Sequence, residues 1–107
     1  MIGLLSKLLG LTGTQLGPTD LQNGSIIDVR TPAEFKQGHV KGSINIPLQE
    51  IDQHLASIKK MKSPVISCCA SGNRSGMAAR KLEAGGIKVI NGGSWQNVAN
   101  QLEAAEK

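Results

Sequence analysis

The sequence predicts an α/β protein, an open parallel sheet covered by helices on both faces. Three observations carry this expectation. Short apolar runs rich in β-branched residues stand at residues 25–29, 64–69 and 87–90. The stretches between them place apolar residues at helical spacing. Glycine or proline separates most of these segments. Strands that alternate with helices pair in parallel through right-handed crossovers. A chain of 107 residues suits one domain with a modest core.

The elements follow in order. Residues 1–11, MIGLLSKLLGL, set Leu4, Leu5, Leu8 and Leu11 on one helical face. This predicts a short apolar leader helix packed on the domain, with residues 13–24 as a turn-rich link in which Thr19 can cap a brief helical turn. SIIDV at 25–29 reads as a buried strand. Thr31-Pro32-Ala33-Glu34 is a capping box with proline at the first helical position, and Gly38 ends that helix. Residues 39–47 read as a turn and a short strand closed by Pro47. Leu48, Ile51, Leu55 and Ile58 predict a helix over 48–60. Residues 64–69 form the second strong strand. A helix over 74–83 is expected to turn Met77, Ala78 and Leu82 inward and to stop at Gly85-Gly86. Residues 87–90 read as a strand, Asn91-Gly92-Gly93 as a turn, and 94–105 as a helix capped by Ser94.

Composition removes several function classes. Phe35 and Trp95 are the entire aromatic stock, too few for a base-stacking surface, so no nucleic-acid partner is expected despite a net charge of +4. Lys59, Lys60 and Lys62 form the only tight basic group and read as a solvated face. The positive balance better suits small anions or acidic proteins. The leader lacks the layout of a secretory signal, because Lys7 sits inside the apolar stretch and no Ala-x-Ala site follows. Eleven residues are also too few to span a bilayer. Membrane contact through residues 1–11 is therefore the weaker reading, and the expected compartment is the cytoplasm, where thiols stay reduced.

Both cysteines stand together in SCCASGNRS, residues 67–75. Adjacent cysteines fit tetrahedral metal ligation badly, and His39 and His54 show no paired ligand spacing, so no metal is expected. A disulfide between neighbours would be strained and would close no useful loop. In a strand the two side chains point to opposite faces. One can fill the core while the other meets the strand end, where open parallel sheets place their ligands. The turn after Cys69 holds Ala70, Ser71, Gly72 and Asn73, small or conformationally tolerant residues that can aim successive N–H groups at one point. The following helix brings its positive N-terminus, and Arg74 adds a cation. All of these favour thiolate over thiol.

The chain resembles the rhodanese-like sulfurtransferases. The matching residues are Asp28-Val29-Arg30-Thr31-Pro32-Ala33-Glu34-Phe35, Gly38-His39-Val40, Gly42-Ser43-Ile44-Asn45-Ile46-Pro47, Cys69-Ala70-Ser71-Gly72-Asn73-Arg74-Ser75 and Gly92-Gly93. The likeness runs from about residue 18 to the end. It divides the chain into residues 1–17, the leader and linker, and residues 18–107, a rhodanese-like domain. It implies a parallel sheet of about five strands and a catalytic Cys69. It further implies a loop, Ala70, Ser71, Gly72, Asn73, Arg74 and Ser75, that cradles a persulfide, with Asp28 and Arg30 supporting the rim. The implied reaction moves a sulfane sulfur from a small donor anion such as thiosulfate to cyanide, a thiol or a protein acceptor, with no cofactor. Trp95 follows the Gly-Gly pair sooner than the family's usual aromatic, and the segment ahead of the first strand leaves little room for an early edge strand.

Duller roles stand beside these. Arg30 pairing with Glu34 would brace loops, His39 would be a hydrogen-bonded structural histidine, and Cys68 would be packing. Two rival functions remain. Counted from Cys68, the segment is Cys-x5-Arg, the spacing of a cysteine phosphatase or arsenate-reductase loop with Arg74 as clamp. A non-catalytic thiol redox or binding module is the other.

Overall fold

A computed structural model of the protein describes residues 16–106. Residues 1–15, which hold most of the expected leader and its membrane-contact alternative, lie outside the described residues. The elements are α1 (Pro18–Asn23), β1 (Ser25–Asp28), α2 (Pro32–Gln37), β2 (Ile44–Asn45), a 3-10 segment (Leu48–His54), α3 (Leu55–Lys59), β3 (Val65–Cys69), α4 (Asn73–Ala84), β4 (Val89–Ser94) and α5 (Trp95–Ala105).

The four strands form one parallel sheet in the order β2-β1-β3-β4. Helices cover both faces, as the class requires, and the strand count is close to the expected five. Alternation along the strands splits the core in two. Ile27, Val29, Val65 and Cys69 face one side, where Ile51, Ile58, Ala78 and Leu82 close over them. Ile26, Ile66 and Cys68 face the other, beneath Leu16, Leu21, Val40 and Val98. Both faces of β3 are fully buried, so its five residues show no apolar/polar alternation, and the one polar member, Ser67, donates its hydroxyl to the Ser75 carbonyl at 3.0 Å.

Local chemistry explains the starts of α2 and α5, the latter through Ser94, whose side chain accepts from Asn97 N. Thr31 Oγ1 accepts from Glu34 N, and Glu34 Oε1 accepts from Thr31 N, so both halves of the capping box form. Several readings differ from the structure. Thr19 caps no turn; it lies inside α1, whose N-cap is Gly17 with no side-chain bond. The helix expected over 48–60 begins as a 3-10 segment, and only Leu55–Lys59 is α-helical. Met77 is 48% exposed, because α4 buries Ser75, Ala78 and Leu82 instead. The expected turn at Asn91-Gly92-Gly93 is part of β4.

That last difference shapes the site. Ser67 lies opposite Asn91 and Cys69 opposite Ser94, so β4 carries one more residue than β3 over this stretch, a β-bulge. Gly92 makes it possible: a Cβ there would sit 2.6 Å from Val98 Cγ2, 2.9 Å from Ile66 Cγ2 and 3.0 Å from the Ser67 carbonyl. Among the described residues, no helix is long and apolar enough to cross a membrane.

Candidate active site

The carboxyl end of β3 delivers Cys69 to the floor of a loop that turns directly into α4. The turn depends on Gly72, which takes φ 101°, a left-handed conformation costly for residues with a Cβ. Gly72 is also the N-cap residue of α4 and supplies no side-chain cap. The cysteine sulfur takes over that task. Cys69 Sγ accepts from Gly72 N at 3.0 Å and from Ser75 N at 3.3 Å, and lies 3.4 Å from Ser75 Oγ. Amides at a helix start have no partner within the helix and carry its positive partial charge.

These contacts decide the protonation of Cys69. Burial pushes the thiol up, but the Ser75 hydroxyl, the Ser75 and Gly72 N–H groups and the Ser71 N–H together outweigh it. The net shift is downward, toward thiolate. Cys68 goes the other way: burial and the charge of Asp28 push it up to about 12. Cys68 packs against the opposite face with Ile26, Ile66 and Val98. Two neighbours in one strand thus meet opposite surroundings, hydrogen-bond donors at Cys69 and an apolar cluster at Cys68. Both are free.

The rest of the loop divides by exposure. Ala70, Ser71 and Asn73 stand exposed at the rim, and Ser75 is fully buried below. Arg74 does not turn into the loop. Its Nη1 and Nη2 bond Glu34 Oε1 and Oε2 at 2.7 and 2.9 Å, a two-pronged pair that fastens α4 to α2. Glu34 therefore serves its own helix cap and Arg74 at once. The pairing expected between the Glu34 carboxylate and Arg30 is not the one formed, and Arg30 reaches only the Glu34 carbonyl, at 3.3 Å.

The Arg74 bond, with help from Thr31, holds the Glu34 carboxyl down at about 2. A carboxylate with a depressed folded pKa contributes stability above its unfolded value, near about 4.3, and loses it as pH falls toward the folded value. The expected result is that the Glu34–Arg74 clasp survives acidification through pH 4 and opens only near pH 2. A carbon-detected NMR titration of the Glu34 carboxyl tests it, and a midpoint near 4.3 would contradict it.

Asp28 and Arg30 form a separate brace behind the loop. Asp28 is fully buried and receives Arg30 N, Nε and Nη2 at 3.0, 3.0 and 2.7 Å. Arg30 Nη2 also donates to the Gly38 carbonyl at 2.7 Å, and the guanidinium lies 5.0 Å from the Trp95 ring centroid. Trp95 can approach because Gly38 lacks a Cβ, which would meet its Cη2 at 3.2 Å. His39 stacks on Phe35, with ring centroids 3.6 Å apart, and its Nδ1 lies 2.7 Å from the Phe35 carbonyl. Among the described residues, no cluster of His, Cys, Asp or Glu could hold a metal ion.

Sequence reasoning missed Asn91. Its Oδ1 accepts from Ser75 Oγ at 2.7 Å and from Gly93 N at 3.0 Å, and its Nδ2 donates to the Gly72 carbonyl at 3.3 Å. Asn-Gly-Gly is a common turn signature. The usable signal was that this turn-like triplet directly follows an apolar strand in a sheet whose carboxyl ends carry the site.

Comparison with known proteins places the fold among relatives. The family model for the rhodanese-like domain matches residues 15–100. Thiosulfate sulfurtransferase PspE of Escherichia coli is 39% identical over 75 residues, covering 68% of this chain and 72% of that protein. Uncharacterized protein YqhL of Bacillus subtilis is 42% identical over 69 residues, covering 64% of this chain and 54% of that protein. Among solved structures, a rhodanese with anions from E. coli superimposes with a TM-score of 0.65 at 36% identity, covering 70% of this chain and 91% of that one.

Proposed function

The chain belongs to the rhodanese-like domain family, and we propose that it is a sulfurtransferase carrying a sulfane sulfur on Cys69. The observation that carries this reading is what surrounds the Cys69 sulfur: two amides that donate to it, the Ser75 hydroxyl 3.4 Å away and the start of α4. They favour a thiolate and can stabilise an anion on a second sulfur beyond it. The Cys69 thiolate attacks the outer sulfur of a donor such as thiosulfate. The donor's S–S bond breaks and sulfite leaves with its electron pair. An acceptor nucleophile, cyanide or a thiol on a small molecule or a protein, then attacks the outer sulfur of the persulfide, and the Cys69 thiolate is the leaving group. Each half-reaction conserves electrons, so the cycle requires no cofactor or metal, and its kinetics are ping-pong.

The rival readings have less support. In a Cys-x5-Arg phosphate loop the nucleophile would be Cys68, which is buried on the opposite face with its thiol pushed up to about 12. The clamp would be Arg74, which is held by Glu34. A Cys68–Cys69 redox pair would need two side chains to meet that point to opposite faces.

Intact mass spectrometry after incubation with thiosulfate tests the proposal. The expected result is a gain of one sulfur, about 32 Da, discharged by cyanide. Failure to load from thiosulfate and from a low-molecular-weight persulfide alike would overturn it.

A further inference from the structure

Asn91 touches the loop at Gly72 and Ser75 and its own strand at Gly93, and the chemistry of these contacts fixes where each hydrogen lies. The Gly93 N–H can only donate, so the Asn91 atom 3.0 Å from it is the oxygen. The Gly72 carbonyl can only accept, so the atom 3.3 Å from it is the nitrogen. The amide orientation is therefore set by two backbone groups. Gly76 lets the amide come close, since a Cβ there would lie 3.2 Å from Asn91 Nδ2.

The consequence falls on Ser75. Its hydroxyl has one hydrogen and two oxygen acceptors within reach, Asn91 Oδ1 at 2.7 Å and the Gly93 carbonyl at 3.5 Å, and the shorter contact takes it. The 3.4 Å contact between Ser75 Oγ and Cys69 Sγ must then use the cysteine hydrogen, with the thiol donating to the hydroxyl. That arrangement belongs to the protonated cysteine. Once the thiol has lost its proton to solvent, the sulfur can only accept. Ser75 satisfies it by rotating its hydrogen from Asn91 Oδ1 to Sγ. Asn91 Oδ1 keeps the Gly93 N–H and is not left unpaired.

We propose that Asn91 is a positioning residue for Cys69, and that its Oδ1 competes with the sulfur for the single hydrogen of Ser75. The inference deepens the sulfurtransferase reading and rests on it for its catalytic meaning. Asn91 holds Gly72, Ser75 and Gly93 in place while setting how readily the sulfur ionises and how firmly a persulfide anion is held. Few charges complicate this. The ionisable groups about Cys69 are Arg74 of α4, neutralised by Glu34 of α2, and Cys68 on the far face, with Asp28 and Arg30 paired beside it. β4 contributes none, since Val89–Ser94 contains no ionisable side chain.

The test is the pH dependence of Cys69 alkylation by iodoacetamide, read on the full chain with a thermal melt as a folding control. Asn91→Ala removes the competitor. It is expected to lower the midpoint and raise the thiolate fraction below it about threefold, the worth of a neutral hydrogen bond, while slowing sulfur transfer because Gly72 and Gly93 are released. Asn91→Asp holds the Ser75 hydrogen more tightly and is expected to raise the midpoint. In a Ser75→Ala background the Asn91→Ala shift is expected to vanish and the Asn91→Asp shift to shrink. Midpoints that move the same way in both variants, or shifts that persist unchanged without the Ser75 hydroxyl, would overturn the proposal. If Asn91→Ala does not fold, the Asn91→Asp shift with and without Ser75 decides it. Alkylation needs no sulfur donor, so the two readings fail separately. A wild type that never loads sulfur but shows these shifts loses the transferase reading and keeps the hydrogen switch. A wild type that loads normally without them loses the switch alone.

Discussion

Replacing Cys69 by serine is expected to abolish sulfur loading and to reduce transfer by at least about a thousandfold, the scale on which single nucleophiles act. The donors around the sulfur lower a thiol from an ordinary value near about 8.5, but the same groups cannot ionise a hydroxyl at neutral pH. No other residue can take over. Cys68 points to the opposite face, and its thiol is pushed up to about 12, leaving almost no thiolate at neutral pH. Cys68→Ala is accordingly expected to load sulfur normally, at the cost of a small cavity between Ile26, Ile66 and Val98. Intact mass and single-turnover kinetics on both variants check this. Loading retained by Cys69→Ser, or lost by Cys68→Ala in a folded protein, would assign the nucleophile wrongly.

Asp28→Ala is expected to destabilise the domain by about 3–5 kcal/mol, the cost of leaving one partner of a buried ion pair alone. The Asp28 side chain is fully buried and that of Arg30 is 6% exposed, so water cannot replace the lost carboxylate. The guanidinium would keep its bonds to the Glu34 and Gly38 carbonyls, but neither carries a compensating charge. Against a total stability of about 5–15 kcal/mol this is a large fraction, and the urea midpoint reads it directly. A double variant, Asp28→Leu with Arg30→Met, is expected to lose much less, because it buries no charge. A cost below about 1 kcal/mol for Asp28→Ala would mean that the pair behaves like an exposed one.

Legibility followed the range of the interactions. Contacts between near neighbours were readable: the Thr31–Glu34 capping box needs only a spacing of three, and Ser94 caps α5 through Asn97 N as its position suggests. The opposite fates of Cys68 and Cys69 also follow from strand alternation. Contacts across the sheet were not readable. Nothing near Arg74 announces that its partner is Glu34, forty positions earlier. Nor does the triplet Asn91-Gly92-Gly93 reveal that it bulges along β3 rather than turning away. Met77 failed for a related reason. Period alone admits several faces of α4, and the site chose the one with Ser75, because that hydroxyl must lie beneath the sulfur.

The two-residue β2 bears on how the molecule behaves when crowded. An open sheet ends in two rows of backbone groups that a neighbouring chain could extend, which is the starting point of strand-to-strand aggregation. On one margin β2 offers only Ile44 and Asn45, and Pro47, which lacks an N–H, follows almost at once. On the other, the Gly92 carbonyl is taken by Asn97 Nδ2 and the Gly93 N–H by Asn91 Oδ1. An incoming strand would find a ledge too short on one side and, at the Gly92-Gly93 step, two backbone groups already engaged on the other. At these two places the sheet hinders templated growth without closing into a barrel, and the bulge beside the Cys69 loop supplies one of them.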